Sequence, residues 1–395
     1  MTAHPSTKMT CLALLSLILP LVGCGGEPKG SAGEDSGRGD EPEPWALPAD
    51  PGAAGAPVGV RSDLQGDVQL EIWYPTTDAM AGEPGEPADF NVFIPDSVNE
   101  RLGGVEFPLI PTVAVRDAPL RRGPRAWPVV LFSHGFGGTR LQSVSYATHL
   151  ASRGYVVIAA DHVGRSMGDL LPCIFSPALE GCNLTGFSSD PGPAGLAAAL
   201  AWADAAAEGE WAGLIDPDTL GVSGHSAGGG STSTFGQAEL RADALLIMAA
   251  GAEVQREVPT LVYVGSCDGI IPASDALPTV STLQDGLGAS LQGAGHLAFS
   301  DLCALDLLGI AERQLDGRDD LNAGLYAGLI QLATDGCPGG VPVVEDDACA
   351  ASFLPLEQSD PFIRSVPTAF FDQHLWGLGE GVALGEAGPL VVEGG

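Results

Sequence analysis

The sequence predicts an α/β fold with a mostly parallel central sheet and helices on both faces. Three observations carry this expectation. Short, continuously apolar runs at 127–132, 154–160 and 259–264 read as strands buried on both sides, the pattern of parallel sheets. Between them lie helical stretches, among them a run of almost pure alanine and leucine at 194–207, and strands alternating with helices build a sheet covered on both faces. The third is Gly224-His225-Ser226-Ala227-Gly228, which fits the G-x-S-x-G turn from a strand directly into a helix.

In chain order, the first element is an export signal. Lys8 precedes an apolar run over 11–21 that is too short to span a bilayer. The run ends in Leu21-Val22-Gly23-Cys24, with a small residue before Cys24 as signal cleavage requires. Leu-Val-Gly-Cys resembles the lipobox of bacterial lipoproteins, which implies a signal peptide over 1–23, cleavage before Cys24 and lipidation of its thiol. An ordinary secretory signal is the alternative. Residues 24–57 are Gly, Pro, Ala, Ser and acid with Trp45 as the one aromatic, too little apolar surface to offset ordering entropy. A flexible acidic linker is expected there, and a folded domain over 58–395.

Residues 68–75 alternate apolar and polar side chains and stop at Pro75, as a half-buried strand does. The Gly- and Pro-rich segment 77–124 reads as loops with at most one short strand. Strand 127–132 leads into Ser133-His134-Gly135-Phe136-Gly137-Gly138, then a helix at 141–152 and strand 154–160 closing on Asp161-His162. Residues 165–193 read as a loop insertion able to cap a site. Strand 220–223 enters the G-x-S-x-G turn, a helix leaves it at Ala227, and strands follow at 244–249, 259–264 and 289–292. A second insertion, acid-rich, occupies 303–363, and 369–376 is amphipathic.

The 395 residues carry 17 Lys and Arg against 50 Asp and Glu, a formal net charge of -33. Such a surface repels phosphate backbones and anionic headgroups, so nucleic acid is excluded as the expected partner. The expected state is a monomer that meets a membrane only through a lipid anchor at Cys24.

Small residues flank Ser226 because the turn is too sharp for side chains at 224 and 228, and Ser226 is the candidate nucleophile. A neutral serine hydroxyl needs a base, and the base an orienting acid, arriving on loops after later strands. Asp268, in Gly265-Ser266-Cys267-Asp268-Gly269 after strand 259–264, is the candidate acid, with Asp275 as the fallback. Asp243 precedes its strand and falls at the wrong end of the sheet. His296, on the Gly-rich loop after strand 289–292, is the candidate base; His374, inside the amphipathic run, is read as a helix-surface residue. The backbone N–H of Ala227 and of Phe136 are the candidate oxyanion donors. His134 is read as holding the Phe136 turn, and His225 as structural.

Setting Cys11 and Cys24 aside leaves six cysteines, and an even number in an exported chain suggests disulfides. Nearness pairs Cys173 with Cys182 and Cys337 with Cys349. That leaves Cys267 with Cys303, a bond expected to tie the acid loop to the base loop.

The residues Ile72-Trp73-Tyr74-Pro75, Ser133 to Gly138, Ala151-Ser152-Arg153-Gly154-Tyr155-Val156-Val157, Asp161-His162, Gly224 to Gly229, Asp268, His296 with Phe299-Ser300-Asp301, and Ala369-Phe370-Phe371-Asp372 resemble the α/β-hydrolases grouped as platelet-activating-factor acetylhydrolase-like enzymes and predicted dienelactone hydrolases. The chain is similar also to bacterial cutinases and polyester hydrolases. The resemblance implies the α/β-hydrolase fold and a serine esterase acting on short-acyl, phospholipid or other carboxylic esters, with no metal and no organic cofactor. The two insertions depart from the compact polyester hydrolases and put an open polymer-binding groove in doubt. The same three residues would serve a peptidase or a thioester or lactone hydrolase, and a non-catalytic surface-binding lipoprotein is the reading of another class.

Overall fold

In a computed structural model of the chain, residues 46–104, 106–175, 180–306, 348–349, 352–378 and 388–394 are described. Among the described residues, ten strands form one sheet in the order β10-β9-β8-β7-β6-β4-β5-β2-β1-β3. They are β1 Val58–Gln65, β2 Val68–Pro75, β3 Ala114–Arg116, β4 Trp127–Ser133, β5 Val156–Ala160, β6 Ile215–His225, β7 Ala242–Met248, β8 Thr260–Gly265, β9 Gly286–Leu291 and β10 Leu390–Gly394. The run β5-β4-β6-β7-β8-β9 is parallel throughout, while β2 joins β5, and β10 joins β9, antiparallel. The expected mostly parallel sheet is therefore present.

Its core explains the unbroken apolar runs. In β4, Val129 and Leu131 enter one cluster with Leu196, Ala199, Leu200 and Ala203, while Val130 and Phe132 enter the other with Val144, Leu150 and Phe370. β4 thus buries both faces, as β5, β7 and β8 do almost throughout, so alternation in their sequences is lost. The helices divide accordingly: α2 Val144–Ser152 and α7 Leu356–His374 cover one face, α4 Gly192–Glu208 and α5 Ala227–Ala238 the other. In α4 the residues at 196, 199, 200 and 203 share one helical face, which is why that helix docks as it does.

Several local expectations change. The segment 77–124 holds a helix, α1 Asp96–Leu102, besides β3. The first insertion contains α3 Met167–Phe175, closed by the Cys173–Cys182 disulfide. A four-residue turn of helix, α6 Ala273–Ala276, follows β8. The helix α7 begins at Leu356, inside the stretch assigned to the second insertion. Residues of the expected linker also engage the domain: Ala56 N–H donates to Ser152 O at 2.8 Å, and Arg153 Nη1 to Asp50 O at 2.9 Å. The export signal, Cys24 and Trp45 lie outside the described residues.

The Asp372 of the C-terminal motif is a buried anchor between helix and sheet. Its carboxylate accepts from Arg153 Nη2 and from Tyr155 Oη, each at 2.7 Å, and Arg153 is almost wholly buried. Removing one partner leaves the other charge buried and unpaired. Asp372→Ala is therefore expected to lower the free energy of unfolding by about 3–5 kcal/mol, read from urea melts.

Candidate active site

Every residue singled out by its motif sits where a parallel strand ends. The turn 133–138 follows β4, Ser226 follows β6, Asp268 follows β8 and His296 follows β9. This is the carboxyl edge of the sheet, where open α/β folds place their ligands.

Ser226 occupies a single-residue junction between β6 and α5, with φ +57° and ψ −122°. That backbone is strained for a residue with a side chain and lifts the serine out of the sheet. The turn closes so tightly that a Cβ on Gly224 would meet Gly228 O at 2.1 Å, and one on Gly228 would meet Ser133 O at 2.0 Å. The two flanking glycines are thus steric requirements of the elbow and of its packing on β4. Ala227 begins α5, so its N–H is among the first-turn donors that no preceding helical carbonyl satisfies.

The turn after β4 lies directly against this elbow. A Cβ built on Gly135 would stand 3.3 Å from Ser226 Cβ. The Gly135 carbonyl accepts from His134 Nδ1 at 2.7 Å and from Gly138 N–H at 3.2 Å. Since a trans peptide holds its C=O and N–H antiparallel, these bonds fix the direction of the Phe136 N–H. His134 does hold the loop, accepting at Nε2 from His162 N–H at 3.1 Å. Sequence reasoning missed the cation beneath it. The buried Arg165 donates through Nη2 to His134 O at 2.9 Å and through Nη1 to Asp190 Oδ1 at 2.7 Å and Ser231 Oγ at 2.9 Å, joining the turn to α5. Burial lowers its pKa to about 10, partly opposed by Asp190, so it remains charged at neutral pH. An arginine within a loop insertion gives no spacing signal that would have revealed this.

Asp268 and His296 meet as a buried pair, His296 Nδ1 lying 2.8 Å from Asp268 Oδ2. The other oxygen, Oδ1, accepts the backbone N–H of Ile270 at 2.9 Å and of Ile271 at 2.7 Å. Asp275 is exposed on α6, and Asp243 accepts from Leu220 N–H at the opposite end of the sheet. His374 closes α7 and packs its ring on Phe370, 4.8 Å between centroids.

The disulfide expected between Cys267 and Cys303 is absent. Cys303 bonds to Cys349 instead, which also excludes the expected Cys337–Cys349 bond; Cys337 lies outside the described residues. Cys267 is itself disulfide-bonded. Acid and base loops are tied by backbone bonds: Cys267 N–H donates to Ala294 O at 2.9 Å, and Ser266 N–H to Leu291 O at 3.0 Å. Gly265 permits this contact, since a Cβ there would meet Ala294 O at 2.3 Å. Nearness along the chain holds for Cys173 with Cys182 but fails for Cys303, whose partner is 46 residues away.

Burial keeps the supporting histidines neutral. It lowers the pKa of His134 to about 3, helped by the Arg165 cation, and that of His225 to about 3, helped by His296; His162 lies well below its usual value. Between pH 3 and 6.5 these imidazoles take up protons in the unfolded chain but not in the folded one, so stability falls as pH falls below about 6.5. At pH 5 each such histidine is expected to cost about 2 kcal/mol relative to pH 7. His225→Gln should accordingly lose less stability than the parent between pH 7 and 5 in thermal melts; parallel losses would contradict it. Among the described residues, no group of three His, Cys, Asp or Glu side chains is arranged to hold a metal ion.

Residues 62–169 match the family model of platelet-activating factor acetylhydrolase, isoform II. Comparison with curated protein sequences gives no match. Among solved structures, a ferulic acid esterase from Streptomyces cinnamoneus is similar in fold, with a TM-score of 0.51 and 19% identity over 86% of this chain and 98% of that one. The sheet order and the elbow after β6 thus give the chain an α/β-hydrolase fold, and its stretch from β1 to α3 is similar to platelet-activating factor acetylhydrolase, isoform II.

Proposed function

We propose that the protein hydrolyses short-acyl or phospholipid-type esters, such as 1-alkyl-2-acetylglycerophosphocholine, through an acyl-enzyme on Ser226. The observation that carries this is the buried Asp268–His296 pair at 2.8 Å, on a loop whose His296 carbonyl is bonded to the elbow residue His225 at 2.9 Å. Ser226 Oγ attacks the ester carbonyl while His296 Nε2 takes its proton. Asp268 holds the Nδ1–H and stabilises the imidazolium. The Ala227 and Phe136 N–H groups receive the oxyanion, the alkoxide leaves with the proton from His296, and water activated by His296 releases the acid. The family matched over 62–169 supports an acetylated phospholipid as the substrate to try first.

The protein is further proposed to work outside the cytoplasm as a monomer anchored by a lipid on Cys24. The Cys173–Cys182 and Cys303–Cys349 disulfides support an oxidising compartment. No described helix is long and apolar enough to cross a membrane.

A fluorophosphonate probe is expected to label Ser226 in the folded protein, and a panel of acyl chain lengths to favour acetyl esters and acetylated phospholipid over an aliphatic polyester. Absence of label on Ser226 would favour a surface-binding lipoprotein, and preference for the polyester would overturn the substrate class.

A further inference from the structure

The side chain of Gln142, just before α2, is almost completely buried although nothing in its sequence surroundings marks it. All four of its polar groups are engaged. Its N–H donates to Thr139 O at 2.9 Å, and its carbonyl accepts from Asp301 N–H at 2.8 Å, on the loop that carries His296. Its side-chain Oε1 accepts the Gly135 N–H at 2.9 Å, and its Nε2 lies 2.9 Å from His225 Nδ1. Gly138 makes room for this amide, since a Cβ there would stand 2.1 Å from Oε1.

The protons in this chain follow from its ends. Gly135 N–H can only donate, so the amide oxygen must face it and the amide nitrogen must face His225. An amide nitrogen can only donate, so His225 Nδ1 must accept. The imidazole proton is therefore on Nε2, and Nε2–H donates to the His296 carbonyl at 2.9 Å. A protonated His225 would set two donors against each other, which agrees with the low pKa that burial gives this ring.

We propose that Gln142 and His225 form a positioning relay that fixes the Gly135–Phe136 turn and the base loop of His296 against the Ser226 elbow. Gln142 acts through the turn, and His225 through the His296 carbonyl and the His296 ring, whose centroid lies 4.8 Å from its own. The inference rests on the reading of Ser226, His296 and Asp268 given above. Its consequence is a second role for the variable position of G-x-S-x-G, where His225 supplies a donor that reaches the base loop rather than filler.

The test compares Gln142→Met, His225→Phe and His225→Gln with the parent enzyme on a short p-nitrophenyl ester. Rates are expressed per site labelled by the fluorophosphonate. Met and Phe break the relay, whereas Gln at 225 keeps an N–H donor for the His296 carbonyl and an oxygen acceptor for Gln142. The expected result is a fall in kcat of about 10- to 100-fold for Gln142→Met and His225→Phe with KM changed less than about threefold, because a base displaced by an ångström loses about that factor. His225→Gln should restore kcat to within about threefold of the parent. Unchanged kcat per labelled site in the Met and Phe variants, or a loss in His225→Gln equal to that in His225→Phe, would overturn the relay. If Gln142→Met does not fold, the comparison of His225→Phe with His225→Gln decides by itself. A parent enzyme that takes no label on Ser226 would instead defeat the underlying reading, and the relay with it.

Discussion

Ser226→Ala is expected to lower kcat on a short p-nitrophenyl ester by about 10⁴- to 10⁶-fold while leaving the melting temperature nearly unchanged. The fold should tolerate the change because alanine keeps the Cβ that packs against Gly135, and both residues carry the same steric penalty at φ +57°. Chemistry should not tolerate it, since no acyl-enzyme can form and His296 has no hydroxyl to deprotonate. Residual hydrolysis would come from the oxyanion donors and substrate binding, which together retain about 10³-fold over water in comparable sites. A variant keeping most of the parental turnover would remove Ser226 from the mechanism.

The parts of this molecule legible in its sequence are those where one physical constraint acts alone. Strands β4, β5, β7 and β8 are buried on both faces, so their short apolar runs, rich in β-branched and aromatic residues in β4, β5 and β8, read as sheet core. The elbow glycines were legible because sterics leave no other residue at 224 and 228. Elsewhere constraints compete. The first half of β6 carries Asp216, Asp218 and Thr219 beside a register shift against β4, so its start reads as loop. Helix α7 contains Pro361 and Pro367, which a sequence pattern treats as breaks, and only its amphipathic end at 369–376 stood out. The disulfide of Cys303 joins residues 46 apart, a separation that carries no signal until the base loop and the start of α7 are folded together. Gln142 and Arg165 were invisible for a related reason: each joins a backbone group of the 133–138 turn to side chains distant in sequence, His225 for Gln142 and Asp190 and Ser231 for Arg165, a combination with no spacing signal.

Asp268→Asn tests the acid in a way that a simple deletion would not, because the structure dictates how the amide must sit. Oδ1 of residue 268 accepts two backbone N–H groups, from Ile270 and Ile271, so an asparagine must place its oxygen there. Its NH2 group is then forced toward His296 Nδ1, where the carboxylate oxygen now accepts at 2.8 Å. A donor facing Nδ1 makes that nitrogen an acceptor and moves the imidazole proton to Nε2. In that tautomer Nε2 has no lone pair with which to take the proton of Ser226. The expected result is a fall in kcat of about 10⁴-fold with KM little changed. The size and shape of the side chain are preserved and both loop N–H groups keep their acceptor, so the melting temperature should fall by only a few degrees. Loss of activity that merely tracks loss of fold would mean Asp268 organises its turn and nothing more. A full loss in a folded variant, with His296 intact, assigns the effect to the position of one proton.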